Sequence, residues 1–333
     1  MIIPPGTMLY DEPVEAEGLL LIGDPEVASS RPGRRKDPDW PGPILRKLER
    51  CVEVANHRRL VPLFLGDVFE HPHERDEALK TRLIQILKRF WMPPVTNVGN
   101  HDMANKRLSI GDTLYMMAAC DVLDAPVEGG PVMTVRMGGR LTGIGMTPHG
   151  QDIPTDVTGL LPGADVTVWL THHDVHLQES FPGAVRPHEI LGCRLVVNGH
   201  IHAYKVPERV GQTRWENPGT VNRSTIDLID HVPRAWVLNP TGPLEPVDLP
   251  HDQDVFDLTG LMVDAATTAE VARSVESAFV SLLQAQSIGE MERSDDGSLL
   301  REALDAKYAA ERTPQDVRAI VDSLWREATG EAA

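Results

Sequence analysis

The chain has 333 residues, enough for one large domain with an appendage or for two domains, and its 41% apolar content suffices for a packed core. A net charge of −17 argues against gripping nucleic acid by bulk electrostatics, because phosphate contacts need local Lys and Arg. No run approaches the roughly 18 apolar residues of a membrane span, the Met1-Ile2-Ile3-Pro4-Pro5 start lacks signal-peptide features, and Cys51, Cys120 and Cys193 are too dispersed for a disulfide framework or a sulfur-ligated zinc, so a cytoplasmic protein is expected.

The first half alternates strands and helices, the rhythm of a layered α/β protein. A strand is predicted over 19–23, and a helix from Pro43 with Leu45, Leu48, Val52 and Ala55 at helical spacing. A strand at 61–65, a helix over about 74–90 and a strand at 95–98 follow. From Val132 onward shorter strands are expected at 132–137, 141–145, 166–170, 194–198, 203–206, 213–216 and 234–238, with Gly138-Gly139 as a two-residue hairpin turn. Residues 239–254, carrying Pro240, Pro243, Pro246 and Pro250, read as an extended connector. Helical patterns then begin at Thr267 and at Thr313-Pro314, so 1–250 is expected to form the principal domain and 251–333 a helical C-terminal appendage.

Five apolar runs each end in a polar side chain of a kind that holds divalent metals. They deliver Asp24 and Glu26, then Asp67, Asn100 and His172, and finally His200 and His202. A run of apolar and β-branched residues ending in Gly reads as a buried strand presenting a group at its C-terminal edge. Taken singly, each residue fits a turn or a helix cap equally well. Together they form a set of carboxylate, amide oxygen and imidazole ligands suited to a pair of divalent ions.

Gly23-Asp24-Pro25-Glu26, Gly66-Asp67, Gly99-Asn100-His101-Asp102, Thr171-His172-His173 and Gly199-His200-Ile201-His202 resemble the ordered motifs of the calcineurin-like metallophosphoesterases. The resemblance covers roughly 17–240 and implies a four-layer α/β/β/α sandwich of two mixed sheets flanked by helices. It implies that Asp24, Glu26, Asp67 and His202 surround one ion, and Asp67, Asn100, His172 and His200 the other. A hydroxide between the ions would attack phosphorus, with His101 as general acid and Asp102 orienting its imidazole. Mn²⁺ is the leading ion, with Fe, Mg²⁺ and Zn²⁺ open.

Two departures bear on the site. Glu26 stands where the family usually has histidine; it either ligates as a third carboxylate or points away and weakens the first ion's site. Asn217-Pro218-Gly219-Thr220 is similar to a segment of the Mre11/SbcD-type nuclease branch, which makes DNA the leading substrate and an SbcC/Rad50-like ATPase or a second copy a candidate partner of the C-terminal helices. That branch usually carries Gly-Asp-x-x-His, whereas here Glu70 follows Asp67 by three. Arg31, Arg34, Arg35 and Arg223 are candidate phosphate contacts. A phosphatase, a cyclic-nucleotide or small-molecule phosphodiesterase, and a weakened scaffold are the alternatives. His173 and His176 are expected to point elsewhere, and His149 to lie in a loop bordering the cleft.

Overall fold

A computed structural model describes residues 1–178, 184–259 and Arg318. The chain divides into two units, Met1–Leu261 and Met262–Ala333. The predicted C-terminal helices fall almost wholly outside the described residues.

Within the first unit the order begins β1 (Ile2–Ile3), β2 (Val14–Glu15), β3 (Gly18–Ile22), α1 (Gly42–Arg58), β4 (Leu60–Phe64), α2 (Glu77–Leu87), β5 (Val95–Thr96), α3 (Thr113–Ala119) and β6 (Ala125–Pro126). It continues with β7 (Gly130–Met137), β8 (Arg140–Thr147), β9 (Val166–Thr171), β10 (Leu195–Asn198), β11 (Lys205–Val210) and β12 (Thr213–Asn217). A 3-10 turn at Ile226–Leu228, β13 (Arg234–Leu238) and β14 (Leu244–Asp248) complete it. One sheet has seven strands in the order β11-β12-β10-β9-β8-β7-β2, and another has five in the order β14-β13-β3-β4-β5. β1 and β6 form a small parallel pair of their own.

Strand periodicity sorts the apolar side chains into separate layers. In β3 every residue is buried, because both faces of its sheet are covered. Leu20 and Ile22 face α1, α2 and α3, joining Leu48, Val52, Leu83 and Leu114. Leu19 and Leu21 face the other way and pack with Val61, Leu63, Met133, Val135, Ile144, Val168 and Val197, which fuses the inner faces of the two sheets. On the far face of the seven-stranded sheet, Trp169, Val196 and Trp215 are covered by Val157, Leu161, Val175 and Ile190. The result is a mixed α/β protein of two stacked sheets with flanking helices.

Gly138 and Gly139, at φ +57° and +76°, make the tight turn of the β7–β8 hairpin, as their spacing predicts. The 239–254 connector needs correction, because its centre is β14, paired antiparallel with β13 at the edge of the five-stranded sheet. Its prolines misled: Pro246 sits in an edge strand, where a missing N–H costs no ladder bond on the open side. The seven-residue α3 is too short to leave a periodic signature in the sequence.

Candidate metal centre

β3, β4 and β5 run parallel in one sheet, and β8, β9 and β10 run parallel in the other. Ligands of open α/β sheets gather beyond the carboxyl ends of such strands. Here the residues following β3, β4, β9 and β10 meet across the two sheets. His172 Nε2 lies 2.9 Å from Asp67 Oδ2, and His172 Nδ1 lies 3.4 Å from Asp24 Oδ1. The His200 backbone N–H donates to Asp24 Oδ1 at 3.1 Å, and His202 Nε2 approaches Glu26 Oε1 at 3.0 Å. Asn100 stands between Gly99 and His101, and the His101 N–H donates to Asp67 Oδ1 at 2.8 Å.

The backbone is bent to make this meeting possible. Asp24, Glu26, Asp67 and His200 have φ of +38°, +47°, +47° and +71°, four of the seven non-glycine residues with positive φ among the described residues. Such conformations cost on the order of 1–3 kcal/mol each and persist where surrounding structure enforces them. Two glycines make room. A Cβ at Gly66, whose φ is +118°, would lie 2.3 Å from His172 Nδ1, and one at Gly99 would lie 2.0 Å from Asp67 Oδ1.

The donor set suits hard or borderline divalent ions. Asp67, His172 and His200 present ligand atoms mutually within 4.8 Å, as do Glu26, Asp67 and His101. Asp24 is wholly buried with Oδ2 unpartnered, and Asn100 Oδ1 is likewise buried without a partner. An orphaned carboxylate oxygen in the interior is costly unless a cation answers it. His172 Nδ1–H donates to the Leu65 carbonyl at 2.9 Å, the outer hydrogen bond that typically aims the other ring nitrogen of a metal-ligating imidazole. The residues present therefore fit a metal centre.

Protonation follows from burial set against mutual attraction. Burial disfavours the His172 imidazolium, but Asp67 and Asp24 overcome it and raise the ring to about 9. For Asp67, burial is outweighed by His172 and His101, which bring the carboxyl down to about 2. Burial also opposes charge on His202, yet Glu26, which hydrogen-bonds it, lifts it to about 9. Asp24 is raised, chiefly by burial. A cation entering such a site displaces protons from imidazole and holds the carboxylates ionised.

Glu26 points inward: its second oxygen accepts from Ser224 Oγ at 3.0 Å, so the alternative in which it turns away is set aside. Asp102 behaves otherwise than expected. It is fully buried and accepts from the Phe69 and Gly99 N–H groups at 3.2 and 3.0 Å, bracing the loops that carry Asp67 and Asn100. The His101 ring is oriented by the Glu70 carbonyl, 2.8 Å from Nδ1.

The arginines are engaged with the protein. Arg35 is buried between Trp40 and Phe256, pairs through two nitrogens with Asp37, and donates to the Arg223 carbonyl at 2.6 Å. Arg223 donates to the Ile229 and Asp252 carbonyls, Arg31 to the Asp37 carbonyl, and Arg34 to the carbonyls of Asp257 and Thr259. A guanidinium can donate in several directions, but these five-donor forks already tie loops together.

Three further residues at the centre have no role assigned to them by the sequence. The Glu70 carboxyl, raised to about 7 by burial and by the Glu26 charge, faces the cluster where the nuclease branch carries histidine. Its spacing after Asp67 is the available signal. His149 Nδ1 donates to the His172 carbonyl at 2.9 Å, and its ring lies 5.3 Å from that of His200. Asp174 Oδ1 meets His200 Nε2 at 3.1 Å. A cavity of about 520 Å³ begins one residue past His149, lined by Gly150, Gln151, Lys106, Arg107 and Leu160.

Carboxylates and imidazoles converging beyond parallel strands of two stacked sheets make a centre fit for divalent metals. The calcineurin-like phosphoesterase profile matches residues 20–204, more than half of the chain, and the chain belongs to that family. No curated protein matches it. Among solved structures, a hypothetical protein from Thermus thermophilus is 14% identical with a TM-score of 0.42, the match covering 70% of this chain and 99% of that one. A 5'-nucleotidase precursor from the same organism is 11% identical with a TM-score of 0.40, covering 80% of this chain and 59% of that one. Among the described residues no helix is long and apolar enough to cross a membrane.

Proposed function

We propose that the chain is a two-metal phosphoesterase acting on small phosphoesters, with Mn²⁺ as the leading ion. The observation that carries this is the convergence of Asp24, Glu26, Asp67, Asn100, His172, His200 and His202, with Asp24 Oδ2 and Asn100 Oδ1 buried and unanswered. Asp24, Glu26, Asp67 and His202 would hold one ion, and Asp67, Asn100, His172 and His200 the other, Asp67 being shared. Bound there, divalent cations supply Lewis-acid stabilisation of the charge developing at phosphorus and acidify an attacking water.

The chain's own residues do the rest. The Glu70 carbonyl fixes the His101 ring through Nδ1, leaving Nε2 to give a proton to the departing oxygen. Burial disfavours the His101 imidazolium, but Asp67, Glu70 and Glu26 outweigh it and keep the proton available. The cavity of about 520 Å³ that begins at Gly150 is of the size that takes a small molecule, and its wall carries Lys106, Asp152 and the Arg107–Glu128 ion pair.

A DNA nuclease with an ATPase partner is the less favoured reading. Its arginines serve internal contacts, and the Asn217-Pro218-Gly219 segment supports a loop of the centre. Asn217 Nδ2 donates to the Ile201 and Ala203 carbonyls, and the Thr220 N–H to that of His202. Those bonds prop the loop bearing His202. Purified protein with Mn²⁺ should hydrolyse a chromogenic bis-phosphodiester, a phosphomonoester or a cyclic nucleotide, and EDTA should abolish this. Faster hydrolysis of linear DNA would restore the nuclease reading, and two bound ions without turnover of any substrate would make the chain a scaffold.

A further inference from the structure

A second charged site lies behind the segment that carries Ser224. It is a cavity of about 90 Å³ beside the first turns of α1, walled by Arg35, Arg46, Lys47, Arg223, Asp37 and Asp252. Four cations face two carboxylates there. Asp37 is committed to Arg35 through both of its oxygens, and the Asp252 carboxylate reaches out to the exposed Arg46 at 3.8 Å. Positive side chains therefore outnumber negative ones around the cavity, although Asp37 and Asp252 offset part of the charge on Lys47 and Arg223.

Lys47 is 2% exposed, yet among the described residues it has neither a hydrogen bond nor an ion pair. Besides burial, the strongest influences on it are the positive charges of Arg35 and Arg223, so its ammonium group is driven down to about 7. Arg223 is 3% exposed; two of its nitrogens hold the Ile229 and Asp252 carbonyls while its buried Nε has no partner. A buried amine lining a cavity with no acceptor of its own is a costly arrangement for stability alone. An oxyanion would satisfy it.

We propose that this cavity binds one free tetrahedral oxyanion, of the class of inorganic phosphate, against Lys47 Nζ with Arg46 at its rim. At about 90 Å³ the cavity is far smaller than the roughly 300–1,000 Å³ pockets that take drug-sized ligands, which suits a single small ion. The site stands apart from the metal centre, since Ser224 and Glu26 intervene, and the inference does not depend on the hydrolytic reading.

Equilibrium dialysis of the full chain against labelled inorganic phosphate, after EDTA treatment to remove any phosphate-binding cation, tests it. One phosphate should bind per chain, and Lys47→Met should weaken binding about tenfold or more while keeping the parent's circular dichroism spectrum and cooperative thermal unfolding as proof of folding. Arg46→Met, at the exposed rim, should weaken it by a smaller factor and serves if Lys47→Met does not fold. Phenyl phosphate should not compete. Absence of binding to the EDTA-treated parent, or unchanged binding in both variants, overturns the proposal; equal competition by phenyl phosphate overturns the assignment to a free ion.

Discussion

Asp67→Asn keeps the shape of the side chain at the middle of the site and removes its charge. In the EDTA-treated protein the principal loss is the pair with His172, both partners being buried at 2.9 Å. Against the opposing effect of burial, His172 is raised to about 9 chiefly by Asp67, with Asp24 adding to it, and Asp67 is lowered to about 2 chiefly by His172, with His101 adding to it. Removing one partner of such a buried pair costs on the order of 3 kcal/mol. The pH dependence has a definite sign. The folded imidazole has the higher pKa, so its contribution is complete below 6.5 and disappears as pH rises through about 9. Urea unfolding of EDTA-treated parent and variant should therefore show a gap of about 3 kcal/mol at pH 6 that narrows steadily toward pH 9. With Mn²⁺ restored, elemental analysis should find fewer ions in the variant and turnover should be absent. A gap independent of pH, or a variant as active as the parent, would refute the role given to Asp67.

His101→Ala should leave the bound metal unchanged in elemental analysis and lower kcat by about 10²–10⁴-fold, the range for loss of a positioned general acid. Glu26→Ala removes the carboxylate facing His202 and Ser224, and metal content should fall toward one ion per chain. Leu21→Ala opens a cavity between the two sheets, where Leu21 is fully buried; chemical denaturation should show a loss of about 2–5 kcal/mol.

What the sequence reveals and what it hides divide along the range of the interactions. Apolar runs ending in Gly and a polar residue are local signals, so β3, β4 and β10 and the side chains that follow them are legible. Strand alternation likewise foretells that Leu19 and Leu21 part from Leu20 and Ile22. The family resemblance assigns Asp102 to His101, whereas the imidazole answers to the Glu70 carbonyl 31 residues away. Arg35 looks like a free basic residue because its spacing to Asp37 does not reveal their pairing and its further acceptor, the Arg223 carbonyl, lies 188 positions downstream. Pro246 conceals an edge strand because proline is read as a breaker unless the open side of the sheet is known.

Glu26 and Asp67 leave the five-stranded sheet, whereas His172 and His200 leave the seven-stranded one. A cation gripped from both sides would thus be a rivet through the sandwich as well as a reagent. At a hundredfold excess over its dissociation constant, one such ion adds about 2.7 kcal/mol to the folded state. Starving the protein of trace metal would loosen the seam between its sheets in the same stroke that silences it, and resistance to proteolysis would serve as a gauge of metal supply.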